Sequence, residues 1–142
     1  MTTASAQPVP NAKVFSSSSA VSLSQVDYRP RQLSIHLERP DGGVVAVFEG
    51  VVGYRVLDER DLGFLLNQYK VPGGWLYEVS GGGWRTQEEK RWGFISPQIF
   101  DEVVEYLVTS ESECVSVLVD HRDPPAIELV RSNTSLERTR ER

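Results

Sequence analysis

Alternating apolar and polar residues predict a mainly antiparallel β-sheet. The clearest strand is 31–39, where every second residue is apolar, so one face is buried and the other faces water. An Asp-Gly turn at 40–43 favours a hairpin, and the returning strand runs over 44–57. Gly50 and Gly53 inside that strand indicate a bulge, or a ligand that presses against the backbone. Further strands are predicted at 21–28, 75–79, 92–95, 114–119 and 126–130.

Two segments have the periodicity of amphipathic helices. Asp58 can cap the first, and a Pro-Gly-Gly run at 72–74 ends it. Ser96–Pro97 begins the second, which runs to about Val108 with the apolar stripe Phe100, Val103, Val104 and Leu107. Two such helices can cover one face of a sheet. We therefore predict a single α+β domain, a mainly antiparallel sheet of five to six strands with two amphipathic helices on one face.

The two ends of the chain differ from its middle. Residues 1–20 are rich in Ser, Thr, Ala and Pro without any apolar period, which predicts a disordered tail. Residues 131–142 are polar with mixed charges, which predicts a C-terminal tail, so the domain spans 21–130. Within it, the polar segment 84–91 is interpreted as a loop that contains a helical turn.

The charge balance favours some partners over others. The chain has 20 Asp and Glu against 15 Lys and Arg, a formal net charge of -5. This balance argues against nucleic acid or a membrane surface as partner and fits a protein with a basic surface. A single cysteine, Cys114, rules out an internal disulfide and suits a reducing compartment. The sequence shows neither a membrane-spanning run nor a signal peptide, so a cytoplasmic protein is expected.

No motif in the sequence assembles a catalytic or metal site. Gly81–Gly83 lacks the Lys and Ser/Thr of a phosphate-binding loop and is interpreted as a hairpin turn. Asp120, His121 and Asp123 share one loop, a pattern typical of a solvated turn. Cys114 opens a valine-rich strand, as a small buried hydrophobe does. We therefore expect no enzyme activity, no cofactor and no metal.

The aromatic residues suggest a binding surface. Four of them lie between positions 75 and 92, where some are expected to pack in the core and others to form contacts with a partner. Acidic side chains nearby would form a charged rim that steers a basic partner. The predicted partner-binding residues are Trp75, Tyr77, Trp84, Glu88, Glu89, Trp92, Glu111, Glu113 and Asp120.

Three runs carry a resemblance to a known group: YRVLDERDL, GGWLYEVSGGGW and EYLVTSESECVSVL. They resemble small bacterial immunity-type proteins of polymorphic toxin systems, over about Leu33 to Leu129. The resemblance implies a small, cytosolic, non-enzymatic protein that binds a cognate toxin and blocks its active site. It transfers no individual functional residue to this chain.

Three hypotheses of function follow. The first is an immunity protein that neutralises a bacterial toxin by covering it with an open sheet face, loop aromatics and an acidic rim. The alternative is a small-molecule-binding or catalytic domain that uses a pocket between sheet and helices, with Cys114, His121 and Asp123 as reactive groups. The third is a structural subunit of a larger assembly.

Overall fold

The structure is a computed structural model that describes residues 5–9, 21–40, 42–58, 75–94 and 102–130. Of these residues, 66% are in strands and 7% in one short helix. The predicted α+β class with two amphipathic helices is therefore wrong. The described elements are β1 (Ser5–Pro8), β2 (Ser22–Arg29), β3 (Gln32–Arg39), β4 (Gly42–Glu49), β5 (Val51–Asp58), β6 (Leu76–Gly81), α1 (Trp84–Glu89), β7 (Val104–Thr109), β8 (Glu113–Val119) and β9 (Ala126–Val130).

The strands form two antiparallel sheets that pack face to face. One sheet has five strands in the order β1-β6-β7-β8-β5, and the other has four in the order β2-β3-β4-β9. Their inner faces share one buried apolar cluster, to which β3, β4, β7 and β8 each contribute alternate side chains. The rings of Phe48 on β4 and Tyr106 on β7 meet across this core, with centroids 5.5 Å apart. Each fully buried apolar side chain of this kind contributes about 1.5–3 kcal/mol.

Gly50 is where the chain passes from the four-stranded sheet to the five-stranded sheet. The single strand predicted over 44–57 is wrong, because the chain breaks at Gly50 into β4 of one sheet and β5 of the other. Gly50 has a φ of 68°, a conformation that glycine adopts readily and other residues adopt rarely. The predicted bulge is confirmed, since the pairing of β5 with β8 shifts register between Val51 and Gly53.

A second bulge explains an irregular apolar pattern in β2. The pairing with β3 shifts register between Leu23 and Gln25. As a result Leu23 lies opposite Leu37 and Val26 lies opposite Ile35, so both face the core although they are three residues apart. The strands predicted at 21–28, 31–39, 75–79, 114–119 and 126–130 are all confirmed.

The second predicted helix is wrong where the structure describes it. Val104–Thr109 is instead the central strand β7, paired with β6 on one side and β8 on the other. Both faces of β7 are buried. A strand buried on both faces shows no period-two alternation, so its apolar residues also fit a helical stripe. The start of that helix, and the body of the helix capped at Asp58, lie outside the described residues.

Two further segments differ from the expectation. Trp92 and Gly93 form a turn and Phe94 is not in a strand, so the strand predicted at 92–95 is wrong for these residues. Ser5–Pro8 falls within the predicted N-terminal tail, and there it forms β1 at the edge of the five-stranded sheet.

Candidate functional site

Helix α1 begins on the outer face of the five-stranded sheet. There, a buried carboxylate accepts hydrogen bonds from the first backbone N–H groups of the helix. Glu105 on β7 is 2% exposed. Its two oxygens accept hydrogen bonds from the backbone N–H of Trp84 at 3.0 Å and of Arg85 at 2.8 Å. Hydrogen bonds to a charged group are each worth about 1.5–3 kcal/mol. The carboxylate therefore fixes the position of α1 on the sheet.

Burial perturbs the Glu105 carboxyl. Removal from water raises its pKa above the ordinary value of 4.5. The backbone N–H bonds from Arg85 and Trp84 lower the pKa, as do the positive charges of Arg55 and Arg85, but burial is the largest influence. The carboxyl of Glu105 therefore binds a proton more readily in the folded chain than in the unfolded chain.

The glycine run before α1 leaves room for that carboxylate. A Cβ atom added to Gly83 would lie 2.8 Å from one Glu105 oxygen and 2.9 Å from the other, closer than real Cβ contacts allow. Gly82 has a φ of 75°, and its N–H donates to the Thr86 hydroxyl at 3.1 Å. The hairpin turn predicted at Gly81–Gly83 is wrong, since these residues lead from β6 into α1.

Arg85 makes a second set of contacts between α1 and the sheet. Its Nη1 donates to the carbonyl oxygen of Val103 at 2.8 Å, and its Nη2 to that of Ser80 at 3.3 Å. Its Nε lies 3.5 Å from the carboxylate of Glu89, one helical turn further on. The helix is therefore held to the ends of both β6 and β7.

Trp84 packs α1 against the edge strand β5. The Arg55 guanidinium lies over its ring, 5.1 Å from the ring centroid, a cation–π arrangement. A Cβ on Gly53 would lie 3.5 Å from the far end of the indole. Trp84 is accordingly partly buried and contributes mainly to packing.

Trp92 projects from the turn that follows α1 and is 96% exposed. The turn is braced from both sides. The Arg91 N–H donates to the Glu88 carbonyl at 2.9 Å and the Arg91 Nε donates to the Glu88 carboxylate at 2.7 Å. The Phe94 N–H donates a hydrogen bond to the Arg91 carbonyl at 3.3 Å, and the Arg91 guanidinium lies 5.8 Å from the Phe94 ring centroid. We call residues 84–94 the α1 knob.

The structure gathers only part of the predicted partner-binding set. Trp84, Glu88, Glu89 and Trp92 all belong to the α1 knob. Trp75 and Tyr77, 4% and 7% exposed, are packed in two different apolar clusters.

The predicted acidic rim is divided between two ends of the molecule. Glu111 and Glu113 lie at the start of β8, whereas Asp120 follows its other end, where it pairs with Arg31. A strand of this length separates its ends by about 20 Å. These three carboxylates therefore do not share a rim.

The reactive groups of the alternative hypothesis are also apart. Cys114 is fully buried near the start of β8, and His121 follows the other end of that strand. His121 Nδ1 accepts the Asp123 N–H at 3.0 Å, which places the proton on Nε2, 3.0 Å from the Glu49 carbonyl. With both ring nitrogens engaged, His121 ties the β8–β9 loop to the end of β4.

One cavity of about 320 Å³ lies at the side of the sandwich, between β1 and the β8–β9 loop. Arg122 lines it and donates to Glu78 at 2.9 Å and to Glu102 at 2.8 Å, and these carboxylates raise the pKa of the guanidinium. Burial, together with the negative charge of Glu78, raises the pKa of the Tyr106 phenol to about 12. The cavity therefore holds a cluster of paired charges, Arg122 with Glu78 and Glu102, beside a phenol whose pKa is raised mainly by burial.

Sequence reasoning missed Glu105. It lies within the second predicted helix, where an acidic side chain is expected to face water. The signal that was available is that Glu105 is the one charged residue in the apolar run 103–108, where a carboxylate requires a partner.

Comparisons with protein families, curated proteins and solved structures found no match to this chain. Within the described residues, no three His, Cys, Asp or Glu side chains are grouped so that they could hold a metal ion. No helix among those same residues has the length and apolar character required to cross a membrane.

Proposed function

We propose that this protein is a non-enzymatic protein-binding inhibitor that inserts Trp92 into an apolar pocket of its partner. The supporting observation is the 96% exposure of this tryptophan on a braced turn. Tryptophan is among the residues most enriched at binding hot spots. A turn that is already ordered loses little conformational entropy on binding.

The surroundings of Trp92 match the rim of a binding hot spot. Glu89 and Lys90 are exposed beside it, and Arg91 is exposed and paired with Glu88. Charged groups of both signs around one apolar anchor favour a pocket with a polar margin. Glu105 and Arg85 fix the helix below to the sheet at two points, so the turn that carries Trp92 is held in place before a partner binds.

The resemblance supplies the class of partner. An immunity-type protein binds a cognate bacterial toxin and blocks its active site, and the formal net charge of -5 suits a toxin with a basic surface. A cytoplasmic location belongs to this proposal. It is supported by the single cysteine, Cys114, which is buried and can form no disulfide within the chain.

The experiment is a pull-down from the native organism followed by mass spectrometry, with the wild type, Trp92→Ala and Leu129→Ala. Leu129 is the matched control, since it is 71% exposed on β9, away from the α1 knob. The wild type and the control are expected to retain one stoichiometric partner of the toxin class. Trp92→Ala is expected to bind that partner about 30-fold more weakly, the effect of losing one hot spot.

Equal capture of the partner by all three proteins would contradict the role of Trp92. A partner with no toxin activity would contradict the immunity class while leaving the anchor in place. The alternative catalytic hypothesis gains no support from the geometry, because Cys114 and His121 lie at opposite ends of β8.

A further inference from the structure

The cavity between β1 and the β8–β9 loop has the size and the lining of a site for a small molecule. Its volume of about 320 Å³ lies at the lower end of the range of about 300–1,000 Å³ found for ligand pockets. Pro8, Val9 and Pro124 give it an apolar wall, and Glu78 and Arg122 bring charged groups to it. An apolar wall with a few polar groups that fix orientation is typical of small-molecule sites.

A buried side chain with an unpartnered hydroxyl lines this cavity. Tyr106 is 1% exposed and its ring packs against Phe48 in the core, yet it also borders the cavity. Glu78 lies directly opposite Tyr106 in the β6–β7 pair, and both Glu78 and Arg122 act electrostatically on the phenol. Among the described residues, the Tyr106 hydroxyl has no hydrogen-bond partner. Since a buried tyrosine hydroxyl usually has one, the missing partner points to a group that enters the cavity.

The ion cluster beside this hydroxyl keeps hydrogen-bonding capacity as well. A guanidinium carries five N–H donors, and Arg122 uses two of them, one for Glu78 and one for Glu102. The other three have no acceptor in the part of the chain that the structure describes. Glu78 accepts from Arg122 through Oε2, and its Oε1 receives no hydrogen bond from a described residue. Donors and acceptors are therefore both available to a ligand in the cavity.

The charges at the cavity favour a neutral ligand that both donates and accepts hydrogen bonds. The positive Arg122 repels a cation, and the carboxylates of Glu78 and Glu102 repel an anion. The Tyr106 phenol, with a pKa of about 12, is a neutral hydroxyl at physiological pH and can donate or accept. A molecule with several hydroxyl groups matches this set, because each hydroxyl donates one hydrogen bond and accepts others.

We infer that the cavity binds a small neutral polyol, such as a monosaccharide, through the Tyr106 hydroxyl, the Arg122 guanidinium and the Glu78 carboxylate. The C–H groups of the polyol pack against the apolar wall of Pro8, Val9 and Pro124. None of the described residues that line the cavity belongs to the α1 knob. The inference is therefore independent of partner binding through Trp92.

The test is an NMR titration of the ¹⁵N-labelled protein with D-glucose, D-galactose, D-mannose and myo-inositol. At least one of them is expected to shift the amide signals of residues that line the cavity, with saturation and a Kd of about 1 mM. Tyr106→Phe is expected to bind it about tenfold more weakly, because one hydrogen bond to the ligand is lost. Tyr54→Phe is the matched control. It loses the same hydroxyl on β5, at the edge of the sheet opposite β1, and should bind like the wild type.

Two charged probes test the class of ligand. D-glucosamine carries a positive charge and D-glucuronate a negative one, and each is expected to bind about threefold more weakly than the neutral probe. Tighter binding of either would overturn the choice of a neutral ligand. Absence of shifts with every neutral probe, or equal weakening by both tyrosine variants, would overturn the site itself.

Thermal melting separates a role in binding from a role in the fold. Because the Tyr106 hydroxyl has no partner among the described residues, Tyr106→Phe should melt at a temperature no lower than that of the wild type. A lower melting temperature would show that the hydroxyl serves the fold and would contradict the inference. Trp92→Ala should bind the neutral probe like the wild type, so failure of this site and failure of partner capture are distinguishable.

Discussion

The carboxylates on the outer faces of the two sheets differ in burial and in their partners. On the five-stranded sheet, Glu105 is buried, accepts two backbone N–H groups and lies near Arg55 and Arg85. On the four-stranded sheet, Glu38 and Glu128 are exposed and have no ion-pair partner within the described part of the chain. A buried carboxylate is tolerated only with such partners, whereas an exposed one is stabilised by water. Glu105 therefore stabilises the fold, whereas Glu38 and Glu128 are available for contacts with other molecules.

The largest expected difference in stability between the two faces is at Glu105. Glu105→Ala leaves two helix N–H groups without an acceptor and removes the negative charge near Arg55 and Arg85. We expect a loss of about 3–5 kcal/mol in the free energy of unfolding, measured by denaturant titration. The matched control is Glu38→Ala on the outer face of the four-stranded sheet, which should change stability by no more than about 0.5 kcal/mol. A loss at Glu105 as small as the loss at Glu38 would show that the carboxylate does not anchor α1.

A smaller effect is expected from the glycine beneath the carboxylate. Gly83→Ala puts a methyl group about where the Glu105 oxygens lie and should destabilise the fold by about 1–3 kcal/mol. Gly81→Ala is the control, because a Cβ there would meet no atom within 4 Å. Thermal unfolding of both variants measures the difference. Equal melting temperatures would mean that the helix shifts freely away from the sheet.

The pH dependence of stability gives the smallest and most specific effect. The raised pKa of Glu105 means that its contribution to stability is present in full below its ordinary pKa of 4.5 and is lost as pH rises through the folded-state value. Glu105→Gln has no proton to bind at this site. The wild type should therefore gain stability relative to Glu105→Gln as pH falls from neutral towards 4.5, measured by denaturant titration at each pH. Parallel pH profiles of the two proteins would contradict the perturbed pKa.

Strands with one solvent-exposed face, such as β3, could be recognised from the sequence, whereas the central strand β7, which is buried on both faces, could not. The polar alternation in β3 predicts both its conformation and its outward face. In β7 the surroundings bury both faces, so the run VEYLVT has no strand period and its apolar spacing also fits a helix. Partnering between distant strands, such as β5 with β8, leaves no local signal at all.

The same limit applies to the candidate site. The sequence predicted Trp92 as a contact residue because it is one of four aromatic residues between positions 75 and 92, and aromatic residues are enriched at binding hot spots. It assigned Glu111, Glu113 and Asp120 to one rim because nearness in sequence suggested nearness in space. A strand separates its ends, however, so the rim is divided. The pairing register was required to show that Asp27 and Glu128 share the outer face of the four-stranded sheet, on its two opposite edge strands.

Among the described strands, the order of the two sheets leaves four at the edges, and each of the four has a feature that hinders the addition of another strand. Pro8 removes a backbone donor from β1, and register shifts distort β2 and β5. The strand β9 pairs regularly with β4, and its central residue is Glu128. A charge at this position opposes edge-to-edge aggregation. Removal of the Glu128 charge would therefore promote self-association of the chain at high protein concentration.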